Sequence, residues 1–252
     1  MTPELTDYPE LNEPYAKALR EAVEWIFASY EVCGLLVTGT ILRGTPDTRS
    51  DLDIHVLHRD RFRERVQRFF NGVPCEIFVN PPDRVKDYFI EDLEDRRPIS
   101  PHMYATGTSL FDPDGQILEL QTEATSLLAN TPQAPSADAL TASRYSVATE
   151  FEDVLDLAER DEHAASVMLG AVIVHLLEFR ASQSPGWKPR NKDLLQRIEE
   201  LDPLAARLAI EAASGFTLYE RLEATRSLCA LVTQSEGFFE WKSPREVIPP
   251  AK

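Results

Sequence analysis

Residues 37–56 read VTGTILRGTPDTRSDLDIHV and carry the strongest pattern in the chain. A β-rich run ends at Gly39-Thr40, and ten further residues lead to Asp51 and Asp53, where the next β-rich run begins. Glycine lets the backbone come close to a phosphate, and the Thr40 hydroxyl and nearby N–H groups can donate hydrogen bonds to phosphate oxygens. The pattern therefore predicts two strands joined by a phosphate-binding loop or helix start.

The two aspartates are spaced to share a metal ion. In a strand, residues i and i+2 face the same side with Cα atoms about 6.5 Å apart, so Asp51 and Asp53 repel each other unless a cation lies between them. Glu76 lies in the following β-rich run, Pro74–Val79, where a charge among apolar residues is unusual for an inner strand. If the two strands are neighbours, the three carboxylates can hold two magnesium ions about 3.5–4 Å apart.

Around this stretch, the first half of the chain alternates between helical and β-rich patterns. Strands are predicted at Cys33–Thr38, Leu52–Leu57, Pro74–Val79 and Thr106–Phe111. Helices are predicted at Pro14–Tyr30, Asp60–Phe70 and Pro82–Leu93. This alternation is typical of an α/β domain with a small mixed sheet.

The second half of the chain has only helical periodicity. The segment Ala129–Ala137 contains two prolines and little apolar content, which favours a domain boundary there. The helical segments that follow are Ser136–Arg160, Ala164–Ala181, Asn191–Leu201, Pro203–Ala213 and Thr217–Gly237. We therefore predict an α/β domain over residues 1–130 and an all-α helical bundle over residues 137–252.

Charge and composition restrict the partners. The formal net charge is −16, with 26 Lys and Arg against 42 Asp and Glu. This balance repels nucleic acids and anionic membranes and attracts cationic solutes, although acidic proteins are often simply well solvated. No apolar run approaches the roughly 18 residues of a membrane helix, and no export signal is visible. Three scattered cysteines are typical of reduced thiols, so a cytoplasmic location is predicted.

The Gly39-Thr40 pair followed by Asp51 and Asp53 resembles the motif of the DNA polymerase beta-type nucleotidyltransferase superfamily. That motif has Gly-Ser or Gly-Gly, a spacer, and then Asp-x-Asp or Asp-x-Glu; Thr40 replaces the commoner serine and keeps the hydroxyl. Within the superfamily, nearly the full length of the chain looks most like aminoglycoside nucleotidyltransferases of the kanamycin 4′-O-nucleotidyltransferase kind. The stretches that carry this resemblance are residues 39–44, 50–54 and 98–115 and the helix through Phe151-Glu152.

The resemblance implies transfer of AMP from magnesium ATP to a sugar hydroxyl of an aminoglycoside antibiotic, with the 4′ hydroxyl favoured and pyrophosphate released. It also implies a homodimer whose active sites each draw on both subunits. The residues that it places at magnesium are Asp51, Asp53 and Glu76, and those at the nucleotide are Gly39, Thr40, Arg43 and Ser50. It makes Glu152 the base that accepts the proton of the attacking hydroxyl.

One position departs from the pattern of the kanamycin enzymes. A lysine there follows the base by one helical turn and reaches the nucleotide, whereas Asp156 stands at that position in this chain. Arg43, or the basic cluster formed by Lys188, Arg190 and Lys192, would have to neutralise the phosphates instead. That cluster is also typical of an exposed helix start.

Other interpretations of these residues stay open. Asp-x-Asp alone is common in loops, and Glu152 fits an ordinary solvated acidic face beside Glu150 and Asp156. His55 shares the face of the aspartates but is more typical of a satisfied core histidine, since magnesium prefers oxygen ligands. A nucleotidyltransferase could instead modify a protein side chain, although the Arg-x(4–6)-His motif of the associated toxin domains is absent. A catalytically inactive nucleotide-binding module would be expected to have lost a carboxylate, and all three are present.

Overall fold

The structure is a computed structural model that describes Leu5 and residues 8–245. The chain divides into two compact units, Met1–Asn130 and Thr131–Lys252. Unit 1 contains α1 Tyr15–Ser29, β1 Val32–Thr38, β2 Leu52–His58, β3 Glu64–Phe70, β4 Val73–Asn80, α2 Pro82–Glu94, α3 Ile99–Thr106, β5 Thr108–Phe111 and α4 Gln116–Leu128. Unit 2 contains α5 Ala137–Ala158, α6 Glu162–Ser182, a 3₁₀ turn Asn191–Asp193, α7 Leu194–Leu201, α8 Pro203–Ser214 and α9 Leu218–Thr233.

The strands of unit 1 form one mixed sheet in the order β3-β4-β2-β1-β5. β2 and β4 are parallel neighbours, whereas β1 pairs antiparallel with β2 and β5, and β3 pairs antiparallel with β4. The predicted fold class, a mixed-sheet α/β domain followed by a helical region, is confirmed.

The two faces of the sheet pack against different helices. Leu52, Ile54 and Val56 of β2 point to the face that packs with the buried side of α1. Leu57 belongs to a second cluster on the opposite face, with Phe89 of α2 and residues of α3 and α4. Because side chains alternate along a strand, the odd-numbered residues of β2 face away from α1.

The helix predicted over residues 60–70 is wrong, because this segment contains strand β3. Asn71 and Gly72 have φ angles of 46° and 78°, and Phe70 pairs with Val73 across this two-residue turn. Asn-Gly is the strongest short hairpin signal, because both turn positions require positive φ. The charged residues of β3 lie on an exposed edge strand.

Helices α3 and α4 were not predicted from the sequence. Helix α4 begins after the turn at residues 112–115, and both carboxylate oxygens of Asp112 accept hydrogen bonds, at 3.0 Å, from the N–H groups of Ile117 and Leu118. That bridge satisfies two N–H groups of the first helical turn, which otherwise have no partner within the helix.

Helix α6 is central to unit 2. Its buried residues Leu169, Val172 and Leu176 belong to the cluster that α5, α7, α8 and α9 also line. α6 is also long and apolar enough to cross a membrane by length and composition. Its buried residues lie in the core of unit 2, and core helices are apolar too, so length and composition alone are weak evidence of a membrane span.

Candidate active site

Asp51 and Asp53 lie at the beginning of β2, on the face of the sheet turned away from α1. Asp51 immediately precedes the strand and Asp53 is its second residue. Their neighbours Leu52 and Ile54 are fully buried under α1, so the alternation of the strand directs both carboxylates to the other face. Both aspartates are half-buried. The shared face expected from the sequence is therefore present.

Glu76 joins the aspartates because β4 is the parallel neighbour of β2. In that ladder Asp53 is paired directly with Glu76. One carboxylate oxygen from each of Asp51, Asp53 and Glu76 lies within 4.8 Å of the others. Three hard oxygen ligands at this separation fit a divalent cation such as magnesium.

The three carboxylates repel one another. Burial, followed by the neighbouring charges of Asp51 and Glu76, raises the pKa of Asp53 to about 7. Two positive side chains, Arg65 and Arg43, lower it only in part. A cation between the carboxylates would relieve this repulsion, which is the ordinary reason for such a grouping.

Glu76 is held by two side chains of β3 that sequence reasoning missed. Arg65 donates to Oε1 of Glu76 from Nε at 2.6 Å, and Gln67 donates to the same oxygen from Nε2 at 3.1 Å. The hydrogen bond from Arg65 is the main cause that lowers the pKa of Glu76. All these contacts use Oε1, which leaves Oε2 available to a metal ion. The Asn71-Gly72 turn was the sequence signal that could have placed these residues here.

Gly39 approaches the aspartates closely. Its φ angle is 113°, and a Cβ atom at this position would lie 3.1 Å from Oδ2 of Asp53 and 3.4 Å from the backbone oxygen of Asp51. Only glycine adopts this conformation without strain, and only a residue without a side chain leaves the carboxylate undisturbed. The glycine therefore keeps the space beside Asp53 open.

The loop after Gly39 is tied together by hydroxyl groups. The Oγ atoms of Thr40 and Ser50 lie 2.9 Å apart, and Ser50 Oγ accepts a hydrogen bond from the N–H of Asp47 at 2.8 Å. Thr40 and Ser50 thus lie at the two ends of the loop and contact each other, and Arg43 is exposed between them in the sequence. The positive charge of Arg43 lowers the pKa of Asp53, which places it within electrostatic reach of the carboxylates.

His55 lies on the same face, farther along β2. It is 5% exposed, its ring stacks on Phe78 with centroids 4.8 Å apart, and burial lowers its pKa to about 4. It also meets Tyr104 edge to face at 4.9 Å. His55 is therefore a neutral core residue at neutral pH, but its buried Nε2 has no hydrogen-bond partner among the described residues, so the expectation of a satisfied histidine is wrong.

Glu152 lies in unit 2, on α5, and is half-buried. Its Oε1 accepts a hydrogen bond from the backbone N–H of Phe238 at 2.8 Å. The neighbouring Glu150 has its own partner, since its Oε2 lies 2.6 Å from Nδ1 of His175. Asp156 is exposed on the same helix.

The basic cluster named as a second phosphate-binding candidate also belongs to unit 2. Lys188, Arg190 and Lys192 are exposed near the 3₁₀ turn. Arg190 forms an ion pair with Asp193 at 2.5 Å. This local pairing resembles that of an ordinary helix start.

The fold has a counterpart among solved structures. The crystal structure of a nucleotidyltransferase-like protein from Exiguobacterium sibiricum 255-15 matches 86% of this chain and 73% of its own, with a TM-score of 0.53 and 16% sequence identity. At 16% identity, this structural likeness concerns the fold alone. No protein-family model matches the chain, and no curated protein matches it. The chain therefore has a nucleotidyltransferase-like fold with an acidic triad on its sheet.

Proposed function

We propose that this chain is a nucleotidyltransferase that moves a nucleoside monophosphate from a nucleoside triphosphate to an acceptor hydroxyl. The observation that carries the proposal is the triad, in which oxygens of Asp51, Asp53 and Glu76 lie within 4.8 Å of one another beside Gly39. A nucleotidyltransferase-like fold that had become an inert scaffold would have no reason to keep three mutually repelling carboxylates together.

Each residue of the site has a role in this proposal. Asp51, Asp53 and Glu76 would hold magnesium, which when bound stabilises negative charge on the phosphates and on the attacking oxygen. Gly39 leaves room for a phosphate, and the Thr40 and Ser50 hydroxyls and the Arg43 guanidinium contact its oxygens. These contacts would orient the triphosphate so that its α-phosphorus faces the acceptor.

The reaction is a displacement at phosphorus. The acceptor oxygen forms a bond to the α-phosphorus, and the bond from that phosphorus to the bridging oxygen breaks with its electron pair, so that pyrophosphate leaves. The hydroxyl proton must pass to a base as the oxygen attacks, because an alcohol is a weak nucleophile at neutral pH. Glu152 is the proposed base, on the strength of the resemblance found in the sequence.

The finer proposal is that ATP is the donor and an aminoglycoside the acceptor, modified at its 4′ hydroxyl. It is supported by the subgroup resemblance and by the net charge of −16, which attracts a polycation and disfavours a polynucleotide. A cytoplasmic homodimer that inactivates the antibiotic, with shared active sites, is the form implied by the same resemblance.

The test is incubation with magnesium ATP and a panel of aminoglycosides, analysed by mass spectrometry. We expect a mass gain of one AMP on at least one compound, dependent on magnesium and abolished by EDTA. Asp53→Asn protein is the negative control, and exposed Asp83→Asn on α2 is the matched control that should stay active. If every drug is unchanged while the protein itself or an added protein gains AMP, the acceptor is a protein side chain. If nothing gains AMP, nucleotidyl transfer to these acceptors is wrong.

A further inference from the structure

A cavity of about 610 Å³ lies in unit 1 directly beside Glu76. Its floor is formed by His55, Phe78 and Asn80 on the face of the sheet that carries the triad, and its walls come from β3, α2 and α3. Cavities of about 300–1,000 Å³ are usual for small-molecule sites. Glu76 lines this cavity and also belongs to the triad, so the cavity opens onto the candidate reaction centre.

The order of the strands places this cavity on one particular side of the triad. Asp53 is paired with Thr38 of β1 on one side and with Glu76 of β4 on the other. The loop that begins at Gly39 follows β1, whereas the cavity lies over β4. In phosphoryl transfer the attacking and leaving oxygens are roughly in line across the phosphorus. If the leaving phosphates occupy the Gly39 loop, the attacking oxygen comes from the side of the cavity.

One buried polar atom on the floor of the cavity has no partner. It is Nε2 of His55, which is 5% exposed, and among the described residues no group forms a hydrogen bond with this atom. Such an atom costs stability unless a ligand or water engages it. Asn80 lies on the same floor, and its amide offers both donors and an acceptor, as a hydroxyl group that both donates and accepts requires.

The aromatic walls of the cavity are held in place. Arg65 lies 4.9 Å from the centroid of the Phe78 ring, which stacks on His55. The Tyr88 hydroxyl accepts a hydrogen bond from Nη1 of Arg63 at 3.0 Å, and Arg84 lies 4.1 Å from its ring centroid. Rigid aromatic side chains offer apolar contact area at a small cost in entropy.

We propose that this cavity binds the hydroxylated ring of the acceptor, a sugar or cyclitol, and so selects the hydroxyl that is modified. The inference rests on the proposed nucleotidyl transfer. Asn80 binds ring hydroxyls, and Phe78 and Tyr88 pack against the apolar C–H groups of the ring. The lining carries both signs of charge, because the carboxylates of Glu64 and Asp92 lie there with the guanidinium groups of Arg63 and Arg65.

The test measures steady-state kinetics of AMP transfer to kanamycin by Asn80→Leu and Tyr88→Ala proteins. Losing a buried hydrogen bond to a ligand typically weakens binding by about tenfold, so Asn80→Leu should raise the KM for kanamycin by about that factor. The KM for ATP should stay the same. Tyr88→Ala removes the ring that packs against the acceptor and should have a smaller effect in the same direction. Asn130→Leu, at an exposed asparagine after α4, is the matched control and should match the wild type.

Binding of kanamycin measured by calorimetry separates this inference from the proposed function. If transfer occurs and both variants keep the wild-type KM for kanamycin, the cavity is not the acceptor site and the proposed transfer still stands. If no transfer occurs, saturable kanamycin binding that Asn80→Leu weakens still supports the cavity as a ring-binding site. Absence of binding overturns it. If Asn80→Leu fails to fold by its melting curve, the Tyr88→Ala result decides, with an unchanged KM for kanamycin counting against the cavity.

Discussion

The candidate carboxylates of the two units have different kinds of neighbour. In unit 1, Asp53 faces two other carboxylates, and burial and repulsion raise its pKa to about 7. In unit 2, Glu152 has a neutral partner of its own, the N–H of Phe238 at 2.8 Å. The repulsion within the cluster is only partly relieved by Arg65 and Arg43, which favours a bound cation, whereas a carboxylate bonded to the backbone is already accounted for by local structure. The arrangement of Asp51, Asp53 and Glu76 therefore indicates a function by itself. The proposed role of Glu152 as a base rests only on the resemblance.

The largest expected effect is at the triad. Asp53→Asn should abolish nucleotidyl transfer, because losing even one strong electrostatic contact to the transition state costs about 10²–10³-fold and this variant also loses a ligand of the proposed metal. The fold should persist, because the substitution removes a repelling charge. Activity and the melting temperature should be measured together. Loss of activity that accompanies loss of the folded state would instead make this carboxylate structural.

The next largest effect is expected at Glu152, the proposed base. Glu152→Gln should lower turnover by about 10²–10⁴-fold and leave nucleotide binding unchanged, since a general base acts only in the proton transfer of the chemical step. The glutamine oxygen can still accept the hydrogen bond from Phe238, so a purely structural Glu152 would show nearly normal turnover. In that case Glu150 and Asp153 become the candidates to substitute.

Mixing variants tests whether the proposed dimer shares its sites. Asp53→Asn and Glu152→Gln proteins, each inactive alone, should regain activity when mixed, because one site of each hybrid dimer then has both groups. Subunit exchange should be verified with differently tagged chains. Inactive mixtures after verified exchange would mean that the two carboxylates act within one chain.

A smaller effect is expected at Gly39. Gly39→Ala places a Cβ atom 3.1 Å from Oδ2 of Asp53, so it should weaken magnesium-dependent activity about 10- to 100-fold, as changes in the supporting shell of a metal site do. Gly44→Ala is the matched control, since Gly44 also has positive φ, 73°, but nothing lies within 4 Å of its added Cβ. Both variants should lose a similar amount of stability, about 1–2 kcal/mol. Equal activity in the two variants would contradict the close approach to Asp53.

The smallest effect concerns stability and pH in the absence of metal. Because the folded pKa of Asp53, about 7, exceeds its unfolded value of about 3.9, the folded state binds the proton more tightly than the unfolded state does. Its contribution to stability is therefore complete at low pH and is lost as pH rises toward and through 7. Melting temperatures in EDTA should show that Asp53→Asn stabilises unit 1 more at pH 8 than at pH 5. An equal shift at both pH values would show that the pKa of Asp53 is not raised.

Much of unit 1 follows from local sequence patterns. Strand alternation is a property of neighbouring residues, so the shared face of Asp51 and Asp53 could be predicted from their spacing alone. The periodicity that predicted α1 and the helices of unit 2 is local in the same sense. Strand β3 was missed because its edge position leaves its charged residues in water, where helical and extended patterns look alike.

The remaining features depend on contacts between residues far apart in the chain. Glu76 meets Asp53 only because β4 pairs in parallel with β2, and Arg65 reaches Glu76 only because β3 forms a hairpin with β4. Asn80 lines a cavity because α2 and α3 fold back over the sheet. The motif residues and their shared face could be predicted from the sequence, because they depend only on the geometry of a single strand and loop. Their meeting at one site required the tertiary structure, because strand pairing joins segments that no local pattern links.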